Sequence, residues 1–220
     1  HIFKKNNILI KNFISSSYAK TFNYKDKFTS FDNIIFIQLG YDKTSIIIYK
    51  NQYLKTFNII PIGGNHITKD ISKILKLSYE ESENIKKGFN DKDLFSENFS
   101  IQKELLRNLN QNNLTHQEFS TIIKEMIFAR SDEILSMSNN VVNDVLTNKT
   151  DEKYKIILIG SGSKIFESNS ISIAKNPNLL DEFDYLTETS ETICKSGENL
   201  LLQGNSQEVI IVPKQNEKLG

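Results

Sequence analysis

The residues best suited to chemistry sit in two glycine-bearing turns far apart in the chain. In QLGYDKT, Gln38 to Thr44, a run of β-branched residues enters a turn with Gly40 and leaves through Thr44. Such a turn can offer main-chain N–H groups and a hydroxyl to a phosphate oxygen, although the same residues also suit an ordinary β-hairpin. In IGSGSK, Ile159 to Lys164, another strand-like run ends in Gly160, Ser161 and Gly162, which lets the backbone pass close to a flat ligand such as an adenosine moiety. A plain strand-to-helix turn would look the same. The third glycine of GxGxxG is missing, and Ser161 does not stand in GxSxG, so neither the dinucleotide fingerprint nor a hydrolase nucleophile is met. Glu83 and Lys86 are three residues apart on a helical stretch and share a face. There they could meet ribose hydroxyls and a base, or form a solvated ion pair.

The elements that must hold these turns follow from periodicity. Runs at 33–39, 44–50 and 53–60 read as strands of a meander. Asn65 stands as an N-cap, with Ile67, Ile71, Ile74 and Leu75 on one helical face. Ser78 and Glu81 form a capping box that opens a second helix. His66 and His116 read as capping or surface positions. Thr115 and Glu118 form another capping box, before a long helix with Phe119, Ile122, Ile123, Met126 and Ile127 on its apolar side, running to about Leu146. A strand at 155–159 and a helix at 188–203 follow, and strand-like patches stand at Ile8–Phe13 and in EVIIVP of the tail. The stretch 88–115 is rich in Asn and broken, as an inserted subdomain would be. This order predicts an α/β layer with a mixed sheet covered by helices.

Composition narrows the rest. Lys+Arg and Asp+Glu both number 27, so no summed field favours nucleic acid. The lone cysteine, Cys194, has no partner for an internal disulfide and reads as a packed helix residue of a cytoplasmic protein. No Ser/His/Asp set, paired carboxylates or metal-ligand spacing can be assembled. The apolar runs are strand-length, the chain opens at His1 without a signal segment, and a piece of a longer protein is expected.

Taken in order, these pieces resemble the FtsA family of bacterial cell-division proteins, in the actin-like ATPase superfamily. The likeness lies in PIGGNHITKDISKIL followed by EESENIK, in IIKEMIFARSDEIL with Ala129 where the family has proline and Arg130 retained, and in the two glycine turns. It extends over most of 14–203. It implies an actin-like (ribonuclease H-like) mixed sheet flanked by helices with a small inserted subdomain. Residues 1–30 would end the preceding lobe and linker, 31–87 and 119–203 would form the second lobe (IIA), and 88–118 the inserted subdomain (IIB). The tail, 204–220, would lead to a membrane-targeting helix beyond the chain.

By the same resemblance Gly40 and Thr44 face phosphate, Gly63 and Gly64 line the cleft, Glu83 and Lys86 touch ribose and base, and Gly160, Ser161 and Gly162 pack on adenine. ATP with Mg²⁺ is the implied ligand, held weakly or not at all without the other lobe. Arg130 is implied to lie near a groove for the C-terminal peptide of the tubulin-like partner FtsZ. Self-association into filaments and a peripheral place on the inner face of the membrane are implied as well. Gln38 stands where the superfamily usually has the catalytic Asp and carries no charge to attract Mg²⁺, so at most a weak ATPase is expected. A superfamily enzyme of the sugar-kinase or exopolyphosphatase type and a pilus-assembly adaptor are the alternatives.

Overall fold

The structure, a computed structural model, describes residues 5–7, 13–89, 116–146, 154–167, 183–186 and 188–203. Strands β1 (Asn33–Leu39), β2 (Thr44–Lys50) and β3 (Tyr53–Ile60) form the expected meander, and β4 (Tyr154–Ile159) and β5 (Phe183–Tyr185) extend it. The sheet order is β3-β2-β1-β4-β5. β1 is antiparallel to β2 (Gln38 opposite Ser45) and parallel to β4 (Gln38 opposite Ile159). The sheet is therefore mixed, as predicted. β2 turns into β3 through Asn51 and Gln52, both with positive φ (49° and 69°), the backbone of a tight hairpin whose twist matches its strands.

β1, β2 and β4 read as near-continuous apolar runs because both faces of the sheet are covered. On one face Ile35, Ile37, Ile46, Ile48, Ile156 and Leu158 pack against Ile134, Leu135 and Val142 of helix α4 (His116–Val145). On the other, Ile34, Phe36, Ile47, Tyr49 and Ile157 pack against Tyr18, Ala19 and Tyr24 of α1 (Ser16–Lys25) and Leu200 of α5 (Ser190–Gln203). Residues 16–25, expected within the end of the preceding lobe and linker, form a helix packed on this core. Its apolar stripe is hard to see because Lys20 and Lys25 are buried too, with Lys25 Nζ donating to Gln52 O at 2.7 Å.

A second core joins α2 (Gly64–Leu75) and α3 (Tyr79–Lys87) to the first half of α4. Ile67, Ile71, Leu75, Ile85, Phe119, Ile123 and Ile127 fill it. The Ser78–Glu81 capping box opens α3 as predicted, Glu81 N–H donating to Ser78 Oγ and Ser78 N–H to Glu81 Oε2. α2 departs from expectation. It begins at Gly64 after an extended Gly63, so Asn65 lies within its first turn. Gly63 N–H donates to His66 Nδ1, which caps the end. Ile74 is 58% exposed, because the buried stripe runs toward Thr68 and Leu75 and leaves it at the rim. Cys194 is exposed on α5, not packed.

The predicted patch at 8–12, the insertion at 90–115 with Thr115, and the tail strand lie outside the described residues. Among the described residues no helix is long and apolar enough to cross a membrane.

Candidate functional site

The two glycine turns meet at the carboxyl ends of β1 and β4. β1 and β4 are adjacent and parallel, so both turns emerge at the same edge of the sheet. Gly160 has φ +93°, and a Cβ there would stand 2.7 Å from Leu39 O. Glycine is required for the second turn to lie on the end of β1. Gly63 is fitted as tightly on the first turn, where a Cβ would meet Tyr41 O at 2.5 Å. The turn after β4 continues as a short 3₁₀ segment, Ser161–Glu167. Ile165 anchors it in the α2/α3/α4 core and Phe166 in the sheet core.

Between these turns and the α2/α3 pair lies a cavity of about 420 Å³, within the range of small-molecule sites. Gly40 and Tyr41 form one wall, Gly64, Glu83, Lys86 and Lys87 a second, and Ser161, Gly162, Lys164 and Ile165 a third. Six of the residues singled out in the sequence therefore share one cavity: Gly40, Gly64, Glu83, Lys86, Ser161 and Gly162. Gly63 and Gly160 stand directly behind the walls.

Three of the others lie elsewhere. Thr44 is fully buried, does not line the cavity, and its Oγ1 donates to Ile62 O at 2.7 Å. Arg130, on α4, is outside the cavity; its Nε donates to Asp70 Oδ2 at 2.8 Å, and it also pairs with Glu133. Those carboxylates raise the Arg130 pKa against the opposing effect of burial. Gln38 lies at the end of β1, its Cγ 3.3 Å from where a Cβ on Gly160 would be. Its Oε1 is buried without a hydrogen-bond partner.

Lys86 is engaged within the chain. Its Nζ donates to Gly64 O (3.1 Å), Thr68 Oγ1 (2.8 Å) and Glu83 Oε2 (2.6 Å), which occupies all three N–H groups. The lysine fastens α3 to the start of α2 and fixes the Glu83 carboxylate, which also accepts from Thr68 Oγ1 at 2.6 Å. Burial would raise the Glu83 pKa, but these bonds and the charges of Lys86 and Lys87 hold it below the ordinary carboxylate value. Glu83 is a fixed anionic acceptor, the chemistry that suits a diol.

Sequence reasoning missed Tyr41, Lys87 and Lys164 as lining residues. Lys87 follows Lys86 in the last turn of α3 and Lys164 follows the Ser-Gly-Ser turn, so both were adjacent to recognised motifs. For a divalent cation the fit is poor: Glu83 is already held by Lys86 and Thr68, and Gln38 offers a neutral amide. Among the described residues no three His, Cys, Asp or Glu side chains cluster to hold a metal ion. For the nucleoside end of a nucleotide the fit is good, with a fixed carboxylate on one wall and a flat glycine turn on another.

Comparison with known proteins identifies the family. The sequence pattern of the family described as "Cell division protein FtsA" matches residues 35–200. Cell division protein FtsA of Bacillus subtilis (strain 168) is 35% identical over 106 residues, 47% of this chain and 23% of that protein. Its counterpart in Buchnera aphidicola subsp. Schizaphis graminum is 29% identical over 171 residues, 70% of this chain and 40% of that protein. The chain thus spans less than half the length of these relatives. Among solved structures, a 15-stranded ParM filament from Clostridium botulinum aligns with TM-score 0.49 and 12% identity, over 82% of this chain and 51% of that one.

Proposed function

Because the chain belongs to the FtsA family of cell-division proteins, with the actin-like α/β fold of that family, we propose that it is the nucleotide-binding second lobe of a division scaffold. In this reading it holds ATP against one wall of a cleft that a second lobe closes. One observation carries the proposal: turns distant in sequence converge with Glu83 on the same cavity.

The residues divide the work. Glu83, fixed by Lys86 and Thr68, accepts from the ribose hydroxyls. The Gly160–Gly162 turn lies along the base. Lys87 and Lys164 supply positive charge at the mouth, which attracts an anionic ligand. Lys86 is a positioning residue. Bound ATP would supply the energy difference between assembly states, and Mg²⁺ would come with the phosphates, since these walls offer it no carboxylate set of their own. Gln38, a neutral amide, cannot act as a base at neutral pH and has no charge with which to orient a metal-bound water, so turnover is slow and nucleotide acts on assembly. Self-association into open filaments, contact with the FtsZ C-terminal peptide near the Arg130 surface, and attachment to the inner face of the membrane complete the proposal for the whole protein.

The test uses the full-length protein carrying this chain. Calorimetric titration with ATP, and co-sedimentation with an FtsZ tail peptide with and without ATP, should both show binding. Absence of peptide binding in either condition removes the scaffold reading. Rapid phosphoryl transfer to a small acceptor would instead make the protein an enzyme of the superfamily.

A further inference from the structure

Tyr41 and Tyr79 belong to a chain of side-chain hydrogen bonds that runs in one direction. Asn65 Nδ2 donates to Asp42 Oδ1 at 2.7 Å, and Tyr79 O–H donates to Asn65 Oδ1 at 2.9 Å. The Tyr41 and Tyr79 hydroxyls are 2.6 Å apart. A phenol has one proton to give, and Tyr79 gives its own to Asn65, so Tyr41 is the donor in that contact. The chain therefore leads from Tyr41 through Tyr79 of α3 and Asn65 of α2 to the Asp42 carboxylate, back on the β1–β2 turn.

Its two ends differ in strength. Asn65 is 5% exposed and bonds a charged acceptor, which makes the Asp42 end firm. Tyr41 and Tyr79 are 58% and 41% exposed, and water competes for their neutral hydroxyls. Of the four residues, only Tyr41 lines the cavity. Main-chain bonds from Gly64 N–H to Gly40 O and from Asn65 N–H to Tyr41 O hold the turn itself. What the hydroxyl chain fixes is the direction of the Tyr41 side chain.

We propose that Tyr41 is a ligand-contacting wall of the cavity and that Tyr79, anchored through Asn65 to Asp42, is its positioning residue. The proposal rests on the nucleotide-binding reading above. With its proton committed to Tyr79, Tyr41 offers a ligand its ring and no hydrogen-bond donor. Holding that ring in advance removes the ordering cost that a free exposed side chain would add to binding.

Tyr79 also has a second route to the site. The Tyr41 hydrogen bond, then burial and the charges of Tyr41 and Glu83, push its pKa up to about 12, against Thr68, which lowers it. Thr68 and Glu83 thus stand near enough to feel a change at Tyr79 whatever Tyr41 does, and the two routes must be separated.

Calorimetric titration of the full-length protein carrying this chain with ATP, together with a thermal melt of each variant, separates them. Tyr41→Ala should weaken binding by about tenfold. Tyr79→Phe, which keeps its ring, should weaken it by about threefold. In the Tyr41→Ala background Tyr79→Phe should cost nothing further, because no ring is left to hold. A further loss of that size there would assign the effect to Thr68 and Glu83 and overturn the proposal. So would unchanged affinity in folded Tyr41→Ala or folded Tyr79→Phe. Absence of ATP binding by the wild type overturns the nucleotide-binding reading itself, and this inference with it.

Discussion

Lys20 Nζ of α1 lies 2.9 Å from Glu188 Oε2, with the two side chains only 3% and 10% exposed. The pair ties α1 to the chain entering α5, and Asn199 Nδ2 donating to Asn23 Oδ1 at 2.9 Å repeats the link further along. Ion pairs this deep are costly to break from one side, because the remaining charge is left without a partner. Lys20→Met should therefore lower stability by about 3 to 5 kcal/mol, while Lys20→Met/Glu188→Leu should recover most of that loss. Urea unfolding of the three proteins checks it, and equal losses in the single and double variants would contradict it.

Gly160→Ala sets a methyl group 2.7 Å from Leu39 O at a φ that side chains rarely adopt. A loss of about 1 to 3 kcal/mol is expected from the strained backbone. The turn should also lift from β1, weakening nucleotide binding. Gly197→Ala, in α5 with nothing within 4 Å of the added atom, is the control and should be neutral or stabilising by up to about 1 kcal/mol. Thermal unfolding distinguishes them.

The Glu83 carboxyl has a folded pKa below its unfolded one. Its contribution to stability is therefore fully present above the ordinary carboxylate value and is lost as pH falls through the depressed folded value. Lys86→Met removes a first-rank cause of that depression, so Glu83 should titrate higher and the α2/α3 pair should loosen even at neutral pH. A carboxyl-resolved NMR titration of wild type and variant reads the shift directly. An unmoved Glu83 would show that Thr68 and Lys87 suffice.

Lys76 ends α2 with φ 53° and ψ 37°, a left-handed cap usually given to glycine. Lys76→Gly should stabilise the protein by about 1 kcal/mol. Denaturant midpoints measure it, and a loss would mean that the lysine side chain holds a contact of greater worth.

The strands were legible because burial on both faces leaves uninterrupted runs such as NIIFIQL and TSIIIYK, which no loop would carry. β5 was not, since Phe183–Tyr185 is three residues long and is made a strand by its neighbour β4 alone. α1 escaped notice because its buried face includes lysines whose partners are distant in sequence. Within the site, the glycines were legible from type and the Glu83/Lys86 pair from helical spacing. Thr44 lies off the cavity lining, its hydroxyl bonded to Ile62 O, a contact that nothing local in the sequence foretells. The Tyr41–Tyr79 contact joins residues 38 apart, and only the packing of α3 beside the first turn brings them together.

Helix α4 is 30 residues long, about 45 Å at the rise of an α-helix. Its first half packs beneath the cavity wall and its second half beneath the sheet. One helix thus belongs to both cores, so a substitution in either half must be accommodated by an element that also serves the other.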